Sequence, residues 1–408
     1  MQKTIAVLAS LDTKEAEVAF VKQAIERLGG QTLVIDMSVW GPSALQPDVP
    51  RERLLWAAGR SWADIQTRPK HERITAMAAG VAALVPQLYQ RGAFDAVLSF
   101  GGVQNTTMAV AAMKRLPIGV PKLVVSTVAS GRRTFEPLVG SRDIVLMPAV
   151  ADIAGINPLT RTVLGNAVAA IVGMAQEGPG PLHTASGVVI GATQMGVTGG
   201  VGRAARLLDE AGFQVIAFHA TGAGGRAMEE LIADGVITAV LDLTLHEIVA
   251  EMFDGGFSAG AVNRLLAAAQ AGIPQVVAPG GADFIDFGMH ELPADIAKRK
   301  YILHNADIAH VKLHKDEATR VGAIIAERLN AATGPVTVLI PLRGFRQAAA
   351  PGEPLFDAEV DNALVEMLRA RLKPAIRIVD VDANINDPAF SEVAAQTMRG
   401  LLAGQPRG

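Results

Sequence analysis

The chain has 408 residues, half of them hydrophobic and 19% charged, with a formal net charge of −3, no cysteine and a mean hydropathy of +0.29. These values exclude a disordered chain, thiol catalysis, disulfides and cysteine-ligated zinc, and with aromatics at only 4% they make nucleic acid an unexpected partner. The length predicts two domains; without an apolar run long enough to span a bilayer, or a signal-peptide pattern, a cytoplasmic protein away from the membrane is expected.

Residues 3 to 36 read as a βαβ opening: strand Thr4–Ala9, the loop Ser10-Leu-Asp12-Thr13-Lys14-Glu15, a helix through Leu28 and strand Thr32–Asp36. The period changes from a continuous apolar run to helical spacing and back, as a parallel sheet requires. Trp40–Arg73, polar and holding all three tryptophans, reads as an insertion or lid. A helix over residues 71 to 91 leads to the central stretch. There the run Asp95-Ala-Val-Leu-Ser-Phe gives way to Gly101-Gly102 and then to a helix predicted to open near Asn105 or Thr106. Such a strand-to-helix corner lets the backbone approach a ligand and aims unpaired N–H groups at a phosphate or carboxylate; its bland alternative is a turn with an Asn or Thr cap. Strand Lys122–Ser126, the small-residue turn Thr127-Val-Ala-Ser130-Gly131, strand Asp143–Pro148 and a helix Pro158–Gln176 complete the first half. Gly178-Pro-Gly-Pro181 marks the boundary, giving domains 1–180 and 181–408.

The second half repeats the first. Strand, loop, helix Val201–Ala211 and strand Gln214–Phe218 match the opening unit, the segment from Gly235 parallels that from Gly92, and the segment from Ala271 parallels that from Ile118. Two doubly wound α/β domains are expected, with a ligand in the cleft between them. Strand Thr337–Pro341, a helix Asp357–Leu372, strand Ile376–Val381 and the helix Pro388–Leu402 close the chain, with one of them a candidate to cross back to the first domain.

Asp12 offers a ligand for Mg²⁺ or ribose and Lys14 a phosphate counter-charge; against this stands a capping box of Asp12 and Glu15. His219-Ala-Thr-Gly222-Ala-Gly224-Gly225-Arg226 reads as a glycine-rich helix start whose arginine grips an anion, although it is neither a Walker loop nor a dinucleotide fingerprint. Asp283 and Asp286 beside Gly280-Gly281 are candidates for metal or acid–base work, or for capping turns. His310 and His314 stand at zinc spacing without the accompanying glutamate, which favours ordinary core or surface histidines.

Leu8-Ala-Ser-Leu-Asp12-Thr13-Lys14-Glu15, Leu116-Pro-Ile-Gly-Val-Pro-Lys122, Ser126-Thr-Val-Ala-Ser130-Gly131, the Phe218–Glu229 stretch and Gly334-Pro-Val-Thr-Val-Leu resemble one family across almost the whole chain. It is the bacterial and plant family that includes the N-terminal ATP-binding region of the tomato mosaic virus resistance protein. The resemblance implies two Rossmann-like subdomains with an inter-domain cleft, a homodimer, and Mg-ATP bound by the first subdomain. Carried onto this chain, the nucleotide contacts are Asp12, Thr13, Lys14, Gly101, Gly102, Asn105, Thr106, Ser130 and Gly131. Val103-Gln104-Asn105 and Lys312-Leu-His314-Lys315 depart from the family pattern. The residues themselves add Gly224, Gly225 and Arg226 as an anion site. A nucleotide-binding protein is therefore expected, the alternative being a catabolic enzyme on a small hydroxy- or keto-acid, with Arg226 holding the carboxylate and His219 or Asp283 moving protons.

Overall fold

The computed structural model describes residues 2–129, 139–182, 187–253 and 258–404. The chain divides into two compact units, Met1–His183 and Thr184–Gly408.

In the first unit β1 (Thr4–Ala9), β2 (Gln31–Asp36), β3 (Ala96–Gly101), β4 (Lys122–Ser126) and β5 (Val145–Pro148) form one sheet in the order β2-β1-β3-β4-β5, every neighbouring pair parallel. The helices are α1 (Leu11–Arg27), α2 (Arg51–Ala57), α3 (Trp62–Ile65), α4 (Lys70–Gln90), α5 (Val103–Met113) and α6 (Pro158–Glu177). Because β1 and β3 are buried on both faces, their sequences are continuous apolar runs rather than alternating ones. Ala6, Leu8 and Val97 meet Met77, Val81, Met108 and Val110 on one face, whereas Ile5, Val7 and Leu98 meet Val18, Ile25, Leu164 and Ile171 on the other. Each of the larger of these side chains contributes about 1.5–3 kcal/mol by leaving water. The α6 helix is, by length and composition, apolar enough to cross a membrane, contrary to the sequence reading. Leu164, Ala167, Val168, Ile171 and Val172 bury one side of it in the core around the sheet.

The segment after Val39 packs its short helices against α4: Leu54 and Leu55 are buried, and the Leu54 carbonyl lies 2.5 Å from where a Gly80 Cβ would stand. Arg51 stacks on Trp62 and Arg73 on Trp40.

The second unit contains β6 (Val189–Gln194), α7 (Thr198–Asp209), β7 (Gln214–His219), α8 (Ala223–Ala233), β8 (Ala239–Thr244), α9 (His246–Met252), α10 (Leu266–Ala271) and β9 (Gln275–Gly280). There follow β10 (Phe284–Gly288), β11 (Tyr301–Leu303), β12 (Ile308–Lys312), α11 (Lys315–Asn330), β13 (Val336–Pro341), α12 (Ala358–Arg371), β14 (Arg377–Val381) and α13 (Pro388–Ala403). Its main sheet, β14-β13-β9-β8-β6-β7, is parallel and repeats the first unit's order with an added strand; β10, β12 and β11 form a separate antiparallel sheet. Neither tail strand crosses back: β13, buried along its whole length, needs neighbours on both sides and finds them in β9 and β14.

Candidate functional site

In an open parallel sheet, ligands sit outside the carboxyl ends of the strands where the order reverses, in the first unit between β1 and β3. The two corners there are locked together. Ser10 Oγ donates to Asn105 Oδ1 at 2.5 Å, and Asn105 Nδ2 donates to the Phe100 carbonyl at 3.0 Å. Thr106 Oγ1 lies 2.9 Å from the Gly102 carbonyl and 2.7 Å from Ser126 Oγ, joining β4 to the corner. Gly101 adopts φ +148°, and a Cβ on it would stand 2.6 Å from Asn105 Nδ2, so the glycine makes room for the lock. The expected roles of Asn105 and Thr106 change accordingly: both side chains are buried and already bonded, since a buried polar group left waiting for a ligand costs about 1–3 kcal/mol. With Asn105 turned inward, α5 opens at Val103, two residues earlier than expected, after Gly102 and with no side-chain cap. Its first N–H groups have no intrahelical acceptor.

The capping box of Asp12 and Glu15 does not form, because Ser10 precedes α1 directly. Asp12 Oδ2 accepts from the Trp40 and Gly41 N–H groups at 2.9 and 3.4 Å, while Glu15 Oε2 accepts from Ser43 Oγ and the Ala44 N–H at 3.0 and 3.2 Å. These bonds pin the tryptophan-bearing segment to the corner. Asp12 Oδ1 is buried without a hydrogen-bond partner, and Lys14, whose φ of −131° interrupts the helix, has no hydrogen-bond or ion-pair partner among the described residues. Exposed Thr13 Oγ1 donates to the Ser10 carbonyl at 3.3 Å. Ser130 and Gly131 lie outside the described residues.

In the second unit the glycine-rich start of α8 grips an anion, but an internal one. Glu247 Oε1 accepts from the Gly222 and Gly225 N–H groups at 2.6 and 3.0 Å. Gly222 stands at φ +83°, and a Cβ on Gly224 would collide with the His219 carbonyl at 1.9 Å. Of the stretch expected to hold an external anion through Gly224, Gly225 and Arg226, the Gly225 N–H is thus taken by Glu247. Arg226 Nη1 donates to the Gly260 carbonyl at 3.2 Å, and its neighbour Glu229 serves the core. There Arg264, fully buried, bonds Glu247 at 2.6 Å, Asp242 at 2.8 Å and Glu229 at 3.1 Å. Burial alone would lower the arginine's pKa, and these three carboxylates reverse that. Burial in turn pushes the Glu229 and Glu247 carboxyls up against the pull of Arg264. His219 is exposed at the end of edge strand β7.

A second polar cluster gathers at the carboxyl ends of β8, β9 and β13. His246 Nδ1 faces the Gly281 carbonyl and its Nε2 faces Asp286 Oδ1, both at 3.0 Å. His246 thus bridges the Gly281 carbonyl and the Asp286 carboxyl. Ser258 Oγ donates to the other Asp286 oxygen at 2.6 Å. Burial opposes ionisation of Asp286, but the His246 contact holds its carboxyl below the usual range. Asp283, a sequence candidate for proton transfer, is instead buried in an ion pair with Lys312 at 2.8 Å, which also reaches Asp361 at 2.6 Å. Against burial, Lys312 and Arg346 keep the Asp283 carboxyl low, whereas burial and the charge of Asp283 push Asp361 up to about 7. Phe284 stacks between His246, 4.1 Å away, and the Arg346 guanidinium, 3.4 Å away. His310 lies on strand β12 rather than a helix, so it does not share a helix face with His314, which instead bonds Asp295 at 2.8 Å. Among the described residues no three His, Asp or Glu side chains gather to hold a metal.

Sequence reading missed His246, Ser258, Arg264 and Arg346. The available signal was charge inside apolar segments, Asp242 in Ala-Val-Leu-Asp-Leu-Thr and Lys312 in Ile-Ala-His-Val-Lys.

The family model described as "Uncharacterised protein family (UPF0261) N-terminal domain" matches residues 3–179, and its C-terminal counterpart matches residues 188–402. The chain belongs to the UPF0261 family. A UPF0261 protein of Clostridium tetani is 39% identical over 98% of this chain and all of its own length. One from Brucella suis is 33% identical over 96% of this chain and 93% of its own. The ToMV resistance protein Tm-1 of Solanum lycopersicum is 36% identical over 72% of this UPF0261 chain, which corresponds to 40% of the tomato protein. Among solved structures, UDP-N-acetylglucosamine 2-epimerase from Rickettsia bellii aligns over 99% of this chain and 96% of its own at 10% identity, with a TM-score of 0.25.

Proposed function

We propose that the first unit of this UPF0261 chain binds a nucleotide, Mg-ATP, with its phosphates at the Gly101-Gly102 corner. The observation that carries the reading is the uncapped N-terminus of α5 at the β1/β3 reversal. A Cβ on Gly102 would meet nothing closer than Thr127 Oγ1 at 3.7 Å, which leaves the backbone there open to approach. Lys14 supplies an uncommitted positive charge, and the orphaned Asp12 Oδ1 suits a water-bridged Mg²⁺, so these residues fit the group. Bound magnesium would neutralise phosphate charge; Lys14, Gly102 and the first-turn N–H groups orient the oxygens. The family resemblance adds a homodimer to the proposal, and the sequence pattern a cytoplasmic location. The catabolic alternative is less well supported, because Asp283 is committed to Lys312 and Arg226 to the Gly260 carbonyl.

Isothermal titration with ATP and Mg²⁺ tests the reading. Gly102 has φ −82°, which valine adopts freely, so Gly102→Val is expected to fold, and to lose binding by about tenfold or more as its side chain fills the approach. No saturable heat with the wild-type chain, or equal binding by the variant, overturns it.

A further inference from the structure

Arg346 follows β13 and is 3% exposed, yet it differs from the other buried cations of the second unit in what it faces. Arg264 has three carboxylates within 3.1 Å and Lys312 two within 2.8 Å. Among the described residues, no carboxylate pairs with Arg346. Its Nη1 donates to His310 Nδ1 at 3.1 Å, and its Nε and Nη2 are buried without a partner. Those two N–H groups point the same way along one edge of the guanidinium, the edge that takes both oxygens of a carboxylate side by side.

The edge is held in place. The Arg346 Cζ sits 3.4 Å from the centroid of the Phe284 ring, and a Cβ on Gly196 would touch the arginine stem at 3.8 and 3.9 Å. Asn384 Nδ2 donates to the Arg343, Gly344 and Arg346 carbonyls at 2.9, 3.2 and 3.1 Å, shaping the loop that carries the side chain. Phe284, Gly196 and Arg346 follow β9, β6 and β13, so the site lies at the carboxyl ends of three parallel strands, where such sheets take their ligands. Asp283, Asp361 and Asp286 act on the guanidinium through charge alone, without a hydrogen bond to it among the described residues, and a fork with two unpaired donors in one plane is poorly served by a single water.

We propose that the Nε/Nη2 edge of Arg346 binds the carboxylate of a small organic acid. Two donors match the two oxygens of a carboxylate, whereas a phosphate would bring further oxygens that this edge does not serve. The site belongs to the second unit alone and is independent of nucleotide in the first.

The test follows the NMR resonance of the Arg346 Nε–H while the full chain is titrated with acetate, with pyruvate and with inorganic phosphate. Acetate or pyruvate is expected to shift the resonance saturably, and phosphate to bind about tenfold more weakly than the better of them. Arg346→Lys keeps the charge and loses the fork, so its binding of the better acid is expected to fall about tenfold, the worth of one charge-assisted hydrogen bond. The proposal is overturned if neither acid moves the resonance, which leaves water in the fork, if phosphate binds as tightly, or if a folded Arg346→Lys binds as wild type does. Should that variant fail to fold, the wild-type titrations decide alone.

Discussion

Gly225→Ala adds a single methyl group at the most crowded glycine of α8. Its Cβ would lie 1.8 Å from Glu247 Oε2, 2.5 Å from Glu247 Cδ and 2.6 Å from Arg264 Nε. Either the helix retreats or the carboxylate swings away. Swinging would be cheap for a free glutamate, but Glu247 is fully buried and holds the Gly222 and Gly225 N–H groups and Arg264 Nε at 2.6, 3.0 and 2.6 Å. Moving it breaks a buried ion pair and leaves Arg264 with two of its three carboxylates, a disruption worth about 3–5 kcal/mol. That is a large part of the roughly 5–15 kcal/mol that holds an ordinary domain folded. Gly202→Ala is the matching control: nothing lies within 4 Å of a Cβ there, in the interior of α7, so the same methyl group is expected to stabilise by about 0.5–1 kcal/mol. Urea unfolding followed by circular dichroism reads both. A Gly225→Ala transition for the second unit within about 1 kcal/mol of wild type would refute the reasoning, because the carboxylate would then not be locked.

Asp361→Asn tests the Lys312 cluster through pH. A carboxyl whose folded pKa, about 7, stands above its unfolded value contributes stability below about pH 4 and loses it as the pH rises through 7. Urea midpoints of the wild-type second unit should fall across that window, and those of Asp361→Asn should be flatter; equal slopes would sink the assignment. His310 is held down to about 3 by burial, with Arg346 and His304 adding to it, so its ring signals in NMR should stay those of neutral imidazole from about pH 5 to about pH 8. Movement there would mean that the ring is not buried as described. In the first unit, Asn105→Leu keeps the branched shape of the side chain but strips Ser10 Oγ and the Phe100 carbonyl of a buried partner, an expected loss of about 1–3 kcal/mol by thermal or urea unfolding.

The strands of both sheets were legible because a strand covered on both faces must be apolar throughout, and Ala96–Phe100 or Val336–Ile340 has few alternatives of similar stability. Helices were legible from their spacing, with boundaries off by a few residues where side chains chose different partners. Asp12 and Glu15 show why: at three-residue spacing they fit a capping box, but a segment 28 residues further on offers its own N–H groups and takes both carboxylates. Glycine-rich corners were equally ambiguous. Gly222-Ala-Gly224-Gly225 binds an anion as its composition suggests, yet the anion is Glu247, brought across from the next strand-to-helix corner.

By itself, the order of residues determined the two α/β units, the repetition of segments from one to the other and the corners where polar loops meet helix starts, since these follow from periodicity and from the bond patterns open to the backbone. Only the tertiary structure decided which polar groups are spent on one another and which are left over. Asn105 and Asp283 Oδ2 find partners within the protein, while among the described residues the Arg346 fork, Asp283 Oδ1 and Asp12 Oδ1 do not. The reason is that pairing of buried charges depends on distances of a few ångström between residues far apart in the chain, such as Asp283 and Lys312, and no local pattern encodes those distances.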